Sequence, residues 1–153
     1  MHSRIFQVSM EPIDKDDYIE ESNYYDHWFT NSVADYVSDD CDRKKDIQWL
    51  KDCVNGIAFG YDDHGACFIV KSKEEYFSRA FDAFKNALER IKDCTIEEFA
   101  TGIDGMWKLK DSYEEKFGFY VDVDDELMAF DSFVRHCTVG RKYYIGGTVD
   151  YHA

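Results

Sequence analysis

Carboxylate is the densest chemistry in this chain. Residues 11–42 hold eleven acids, among them Asp14, Asp16, Asp17, Glu20, Glu21, Asp39, Asp40 and Asp42, against Lys15 as the only base. Tyr18, Tyr24, Tyr25, Trp28, Phe29 and Tyr36 are interleaved with them. Carboxylates this crowded set up a negative field that steers a basic surface towards them, while aromatic side chains are common anchors at protein interfaces. Asp outnumbers Glu 21 to 11, and short carboxylates on a stiff backbone imitate a row of phosphates better than long flexible ones do. The candidate partner-binding residues are therefore Asp14, Asp16, Asp17, Glu20, Glu21, Tyr24, Tyr25, Asp39, Asp40 and Asp42. Tyr24 and Tyr25 are adjacent, so in an extended segment they cannot both point the same way.

The acidity is polarised along the chain. Residues 11–63 carry 15 acids and 5 bases, net −10, whereas residues 64–118 carry 11 and 9, net −2. A role in solubility alone needs no such concentration. The total of −14 argues against direct binding to nucleic acid or to anionic membranes, because phosphate recognition draws its free energy from Lys and Arg.

Other reactive residues form weaker sets. His64 and Cys67 flank a turn and offer two ligands, or a nucleophile with a base, and Asp122, Asp124, Asp125 and Glu126 crowd four hard oxygen donors into five residues. A calcium loop starting at Asp14 fails, since Ile19 and Tyr25 stand where Gly and Glu are required, and one starting at Asp122 meets Leu127 and Phe133. His136 beside Cys137 diverges by about 100° on a helix. Asp150 and His152 lie at the end of the sequence. Cys41, Cys53, Cys67, Cys94 and Cys137 are odd in number and contain no Cys-x-x-Cys, so reduced, mostly buried thiols are expected. No Gly-x-Gly-x-x-Gly, Gly-x-x-x-x-Gly-Lys, Gly-x-Ser-x-Gly or His-Glu-x-x-His occurs, and no cofactor is expected.

The elements that must hold these groups read as follows. Arg4–Ser9 is β-rich and stops before Pro12. Residues 11–26 suggest an acidic loop or short helical turns. Thr30-Asn31-Ser32 can cap a short helix over about 32–38, and Ile47, Leu50 and Val54 predict a second over about 43–54. Ile57–Tyr61 and Cys67–Lys71 make a hairpin around Asp62-Asp63-His64-Gly65. The capping box Ser72-Lys-Glu-Glu75 opens the strongest helix, with Phe77, Ala80, Phe81, Phe84, Leu88 and Ile91 on one face as core packing. Thr95-Ile-Glu-Glu98 opens another, weakened by Gly102 and Gly105. A strand over 119–123, a helix capped by Asp124 or Asp125 and running to Cys137, and a last hairpin of Lys142–Ile145 and Thr148–Tyr151 about Gly146-Gly147 complete the reading.

Hairpins with helices between them predict an α+β fold: one domain of 153 residues, a mainly antiparallel sheet and four to five helices packed on it. With 44% hydrophobic residues the chain can bury a core despite its charge. No apolar run approaches a membrane span and Met1-His2-Ser3-Arg4 leads straight into a strand, so a cytoplasmic location is expected. The function expected is that of an acidic intracellular interaction protein. It would occlude a basic, nucleic-acid-binding surface of a partner such as a nuclease, as a DNA mimic, a mobile-element inhibitor or an immunity protein does. The alternative is a small enzyme or metal-dependent domain built on His64 and Cys67 or on the carboxylates of Asp122–Glu126.

Overall fold

The computed structural model describes all residues, 1–153. It is an α+β domain with six helices packed on one seven-stranded sheet. The strands are β1 (His2–Ser9), β2 (Tyr36–Ser38), β3 (Ile57–Asp62), β4 (Gly65–Val70), β5 (Tyr120–Val123), β6 (Glu126–Ala129) and β7 (Lys142–His152). The helices are α1 (Trp28–Ser32), α2 (Arg43–Cys53), α3 (Lys73–Lys92), α4 (Ile96–Thr101), α5 (Asp104–Tyr113) and α6 (Phe130–His136). The sheet order is β3-β4-β7-β1-β5-β6, with β2 added to the edge of β7 beyond β4. Every pairing is antiparallel except β1 with β5. No helix is long and apolar enough to cross a membrane.

Most of the sequence signals act as expected. Ser72 caps α3 by accepting from the Glu75 N–H at 3.1 Å, and Thr95 and Glu98 close a reciprocal capping box on α4. Asp42 accepts from the N–H groups of Lys44 and Lys45 to start α2. The two glycines divide the expected long helix: Gly102 ends α4, and Gly105 seats α5 against α3, where a Cβ would come within 2.7 Å of Ile91 Cγ1.

Three expectations are corrected. The last hairpin does not form: β7 runs unbroken through Gly146-Gly147, neither of which has positive φ. Instead the pair makes a bulge opposite Gln7, since Phe6 faces Thr148 while Val8 faces Ile145. The extra residue reverses the alternation of β7. Tyr143 and Ile145 join the core beneath α2 and α6, whereas Val149 and Tyr151 join the core on the opposite face. Glycine is required there because the chain crosses closely; a Cβ at Gly147 would stand 2.9 Å from both the N and the O of Ile19.

The helix expected from Asp124 begins later, at Phe130. Asp124 and Asp125 have φ of 52° and 65° and form a two-residue turn joining β5 to β6, with Val123 opposite Glu126. Two left-handed residues match the twist of a hairpin, and Asp tolerates that region. The helix expected over 32–38 is displaced as well. α1 stops at Ser32, and Tyr36–Ser38 pairs with β7 because Asp35 N–H donates to His152 O at 2.8 Å and opens the ladder.

Helices α3, α4 and α5 form an arm that extends from the sheet. The apolar stripe of α3 is covered along Phe77, Ala80, Phe84, Ala87 and Ile91; Phe81 and Leu88 remain exposed, as do Met106 and Trp107 of α5. The expected core face is thus packed at its base, where Tyr76 and Phe77 meet Phe130 and its neighbours, and open further out.

Candidate functional site

The acidic segment is an ordered cover over one face of the sheet. Two 3-10 turns, Lys15–Asp17 and Glu21–Tyr24, fold it back onto β1 and β7. Gln7 makes the joint: its Nε2 donates to Asp17 O at 2.8 Å, and its Oε1 accepts from Ile19 N–H and from Gly147 N–H. Arg43 secures the other side, donating to the carbonyls of Ile145 and Gly146 with its guanidinium 5.2 Å from the Tyr18 ring. Ile19, Tyr24 and Phe29 are buried beneath the segment. Backbone and apolar contacts therefore fix the segment, and its carboxylates are free to face solvent.

Asp14, Asp16, Asp17, Glu20, Asp39, Asp40 and Asp42 are all exposed, and Glu21 is half-buried. The two runs, eighteen residues apart in sequence, meet where Glu21 N–H donates to Asp39 Oδ2 at 3.3 Å. They form one surface. Asp42 belongs to it while also capping α2, and the Lys45 backbone N–H holds its carboxyl below the usual range. Asp124 and Asp125, at the β5–β6 turn, line a depression with Ile13 and extend the same surface. The sequence suggests a helix cap for these two; the pairing of Val123 with Glu126 puts them in a turn instead.

Tyr24 is a correction. Expected at the partner face, it is 1% exposed and donates to Asp122 Oδ2 at 2.8 Å. Burial, followed by the Asp122 charge, drives its hydroxyl far above the ordinary tyrosine range. Tyr25 takes the outward position, its hydroxyl on Glu21 Oε1. Phe29 is buried whereas Trp28 is half exposed, in a depression shared with Trp107 and Tyr113, and the Tyr36 ring stacks on His152, so of the aromatic residues Tyr25 is the one tied to these carboxylates.

Asp122 is buried with Tyr24, and desolvation holds its carboxyl above the usual range. Tyr24→Phe removes the donor and is expected to cost about 1.5–3 kcal/mol at neutral pH, the worth of a hydrogen bond to a charged group. The sign of its pH dependence follows. The folded carboxyl binds its proton at a higher pH than the unfolded one, so as pH falls through the folded value Asp122 neutralises and the cost shrinks. Denaturant titrations of both proteins at neutral and acid pH measure this.

The comparisons give no relative. No protein-family model matches the sequence, and no curated protein or solved structure matches the chain.

The other candidate sets stay apart. Asp62 accepts from the His64 N–H, Lys142 Nζ and the Tyr144 hydroxyl, which pull its carboxyl down to about 2. The His64 ring lies against Tyr144, while Cys67 is buried in β4, its thiol pushed up by burial. Desolvation works against the thiolate that a nucleophile or zinc ligand needs. Of Asp122–Glu126, Asp122 points into the core while Asp124, Asp125 and Glu126 face solvent. No three His, Cys, Asp or Glu side chains converge on a metal position. His136 Nδ1 donates within its own helix, to Ser132 O, and Cys137 Sγ donates to Val134 O.

Proposed function

We propose that this chain is an acidic interaction protein that binds and occludes a basic, nucleic-acid-binding surface of a partner protein, in the manner of an inhibitor or immunity protein that imitates nucleic-acid charge. One observation carries the reading: residues 14–21 and 39–42 are joined at Glu21 and Asp39 into a single surface on a cover pinned through Gln7, Arg43 and Ile19. A fixed array of carboxylates meets Lys and Arg without first being ordered, which lowers the entropic cost of association. The field of the array accelerates encounter, and Tyr25 adds apolar contact that slows dissociation.

The test is capture of a partner by the immobilised protein at low and at raised salt, followed by competition with double-stranded DNA and with RNA. A nucleic-acid-handling protein that is held at low salt, weakened by salt and displaced by nucleic acid is the expected result. A partner that nucleic acid does not displace, or one indifferent to salt, overturns the proposal.

A further inference from the structure

Away from the acidic surface, the arm leaves one apolar face uncovered. α3 and α5 pack side by side where Gly105 meets Ile91 and Ala87, which gives the pair two broad faces. One is polar: Asn86, Arg90, Lys108 and Asp111 line a shallow depression there with Ala83. A helix turns by about 100° per residue, so Phe81 and Leu88 of α3 and Met106 of α5 lie on the opposite face. Tyr113 stands at its base, where the Arg135 guanidinium lies 4.0 Å from the Tyr113 ring and 4.6 Å from the Phe77 ring and joins the two helices on that side. Phe81, Met106 and Tyr113 are 59, 54 and 57% exposed, and Leu88 is 39% exposed.

We propose that this face is a homodimer interface, in which the arms of two copies pack antiparallel about a two-fold axis. Its area is what such a contact needs. With a large side chain counted at about 200 Å², the four exposed residues present roughly 400 Å². The half-buried Phe84 and Leu109, the stems of Lys85 and Lys92, and Ile96 and Phe99 at the tip bring the total to about 800 Å². A stable interface takes about 800 Å² from each partner, and the largest apolar patch of an ordinary monomer reaches only about 300–600 Å². Charge sets the orientation. Residues 73–113 carry nine acids and seven bases, so they hold only −2 of the total −14 and are the part of the chain that two copies can bring together with least repulsion. Antiparallel arms keep the acidic bodies apart by about the length of α3, twenty residues or roughly 30 Å, well beyond the screening length of about 8 Å. Along the edge of the face Glu74 stands at the base of α3 and Lys92 at its outer end, both exposed. An axis near Ala83 sets Glu74 of one copy against Lys92 of the other, twice by symmetry, and brings the two Phe81 rings together at the centre. The interface uses none of residues 14–42, so it stands independently of the acidic surface.

Sedimentation of the full chain over a concentration series tests the dimer. A species of twice 18.0 kDa is expected to fill as concentration rises. Phe81→Glu should weaken it at least tenfold with the circular dichroism unchanged, since the side chain is exposed in the single chain. Trp107→Glu is the control: Trp107 is also 59% exposed but lines the depression shared with Trp28, and its variant should dimerise as the original does. Glu74→Lys should weaken the dimer roughly fivefold or more, because two symmetry-related pairs become repulsive, and adding Lys92→Glu to it should restore the affinity. A chain that remains at 18.0 kDa at about 100 µM, where a micromolar complex is filled, overturns the proposal and leaves the face to a different protein. A dimer that survives Phe81→Glu places the contact elsewhere and overturns it too. Failure of the Glu74→Lys, Lys92→Glu exchange to restore affinity refutes the antiparallel pairing.

Discussion

Lysine at Asp14, Asp16, Asp17 and Glu20 together is expected to slow association with the basic partner by tenfold or more and to leave the fold unchanged. The first half follows from electrostatics. Steering by a charged surface raises association rates by roughly 10–10³-fold, and the quadruple variant inverts the field where the carboxylates are densest. The second half follows from the way the segment is held. All four side chains are exposed; Gln7 holds the backbone at residues 17 and 19, and the Glu20 backbone N–H donates to Asn23 Oδ1, a contact that lysine at position 20 retains. Glu21 is left in place because its backbone and side chain join Asp39 and Tyr25. A control separates a local surface from net charge: the same reversal at Asp82, Glu89, Asp93 and Glu97, exposed on the arm or at its end, changes the total equally. At physiological ionic strength screening acts over about 8 Å, so charges on the arm should matter much less. Stopped-flow association rates at two salt concentrations, with circular dichroism of each variant, give the answer. Equal slowing by both sets, or by neither, removes the acidic surface as the binding site.

What the sequence conveyed and what it withheld divide along physical lines. Local hydrogen bonding is legible: Ser72, Thr95 and Asp42 cap the helices their spacing announced, and the Ile57–Val70 hairpin turns where Asp62–Gly65 permit. Gly146-Gly147 misleads because glycine suits both a tight turn and a bulge under a crossing chain, and the crossing residue, Ile19, lies more than a hundred positions away. Asp124-Asp125 misleads because Asp suits both a helix cap and a left-handed turn. The acid count of residues 11–42 was visible at once, yet the joining of its two runs depends on the Glu21–Asp39 contact. That contact exists only because β2 pairs with β7 and returns the chain to the same face. Tyr24 could not be told from Tyr25 without the 3-10 turn that directs one towards Asp122. The arm shows the opposite case: periodicity identified the apolar face of α3 correctly, but periodicity does not say how much of a face its neighbours will cover.

Arg4→Met is expected to cost about 3–5 kcal/mol of stability, the penalty for leaving a buried charge without its partner. Arg4 Nε donates to Asp46 Oδ1 at 2.6 Å, its Nη1 reaches Asp150 Oδ1, and its guanidinium lies 5.2 Å from the Trp49 ring. Asp46 is 3% exposed, and its second oxygen accepts from the Thr148 hydroxyl at 2.8 Å. Methionine fills much of the space but leaves two carboxylates facing one another beneath α2. For a chain of this size such a loss lowers the melting temperature by roughly 6–20 °C. Removing one carboxylate as well, in Arg4→Met with Asp46→Leu, should recover part of the loss, because an apolar replacement of a buried ion pair is far less costly than an orphaned charge. Salt distinguishes this network from the acidic surface. Added salt weakens partner binding, yet it cannot reach Asp46 well enough to rescue the single variant. The network also holds the start of α2, where Cys41 Sγ contacts Thr148 and Asp42 caps the helix, so it positions the second acidic run from below. Thermal melts of the single and double variants at low and high salt decide the matter: a single variant that melts with the original protein, or regains its stability in salt, would show that the Arg4 pairs are solvated and contribute little.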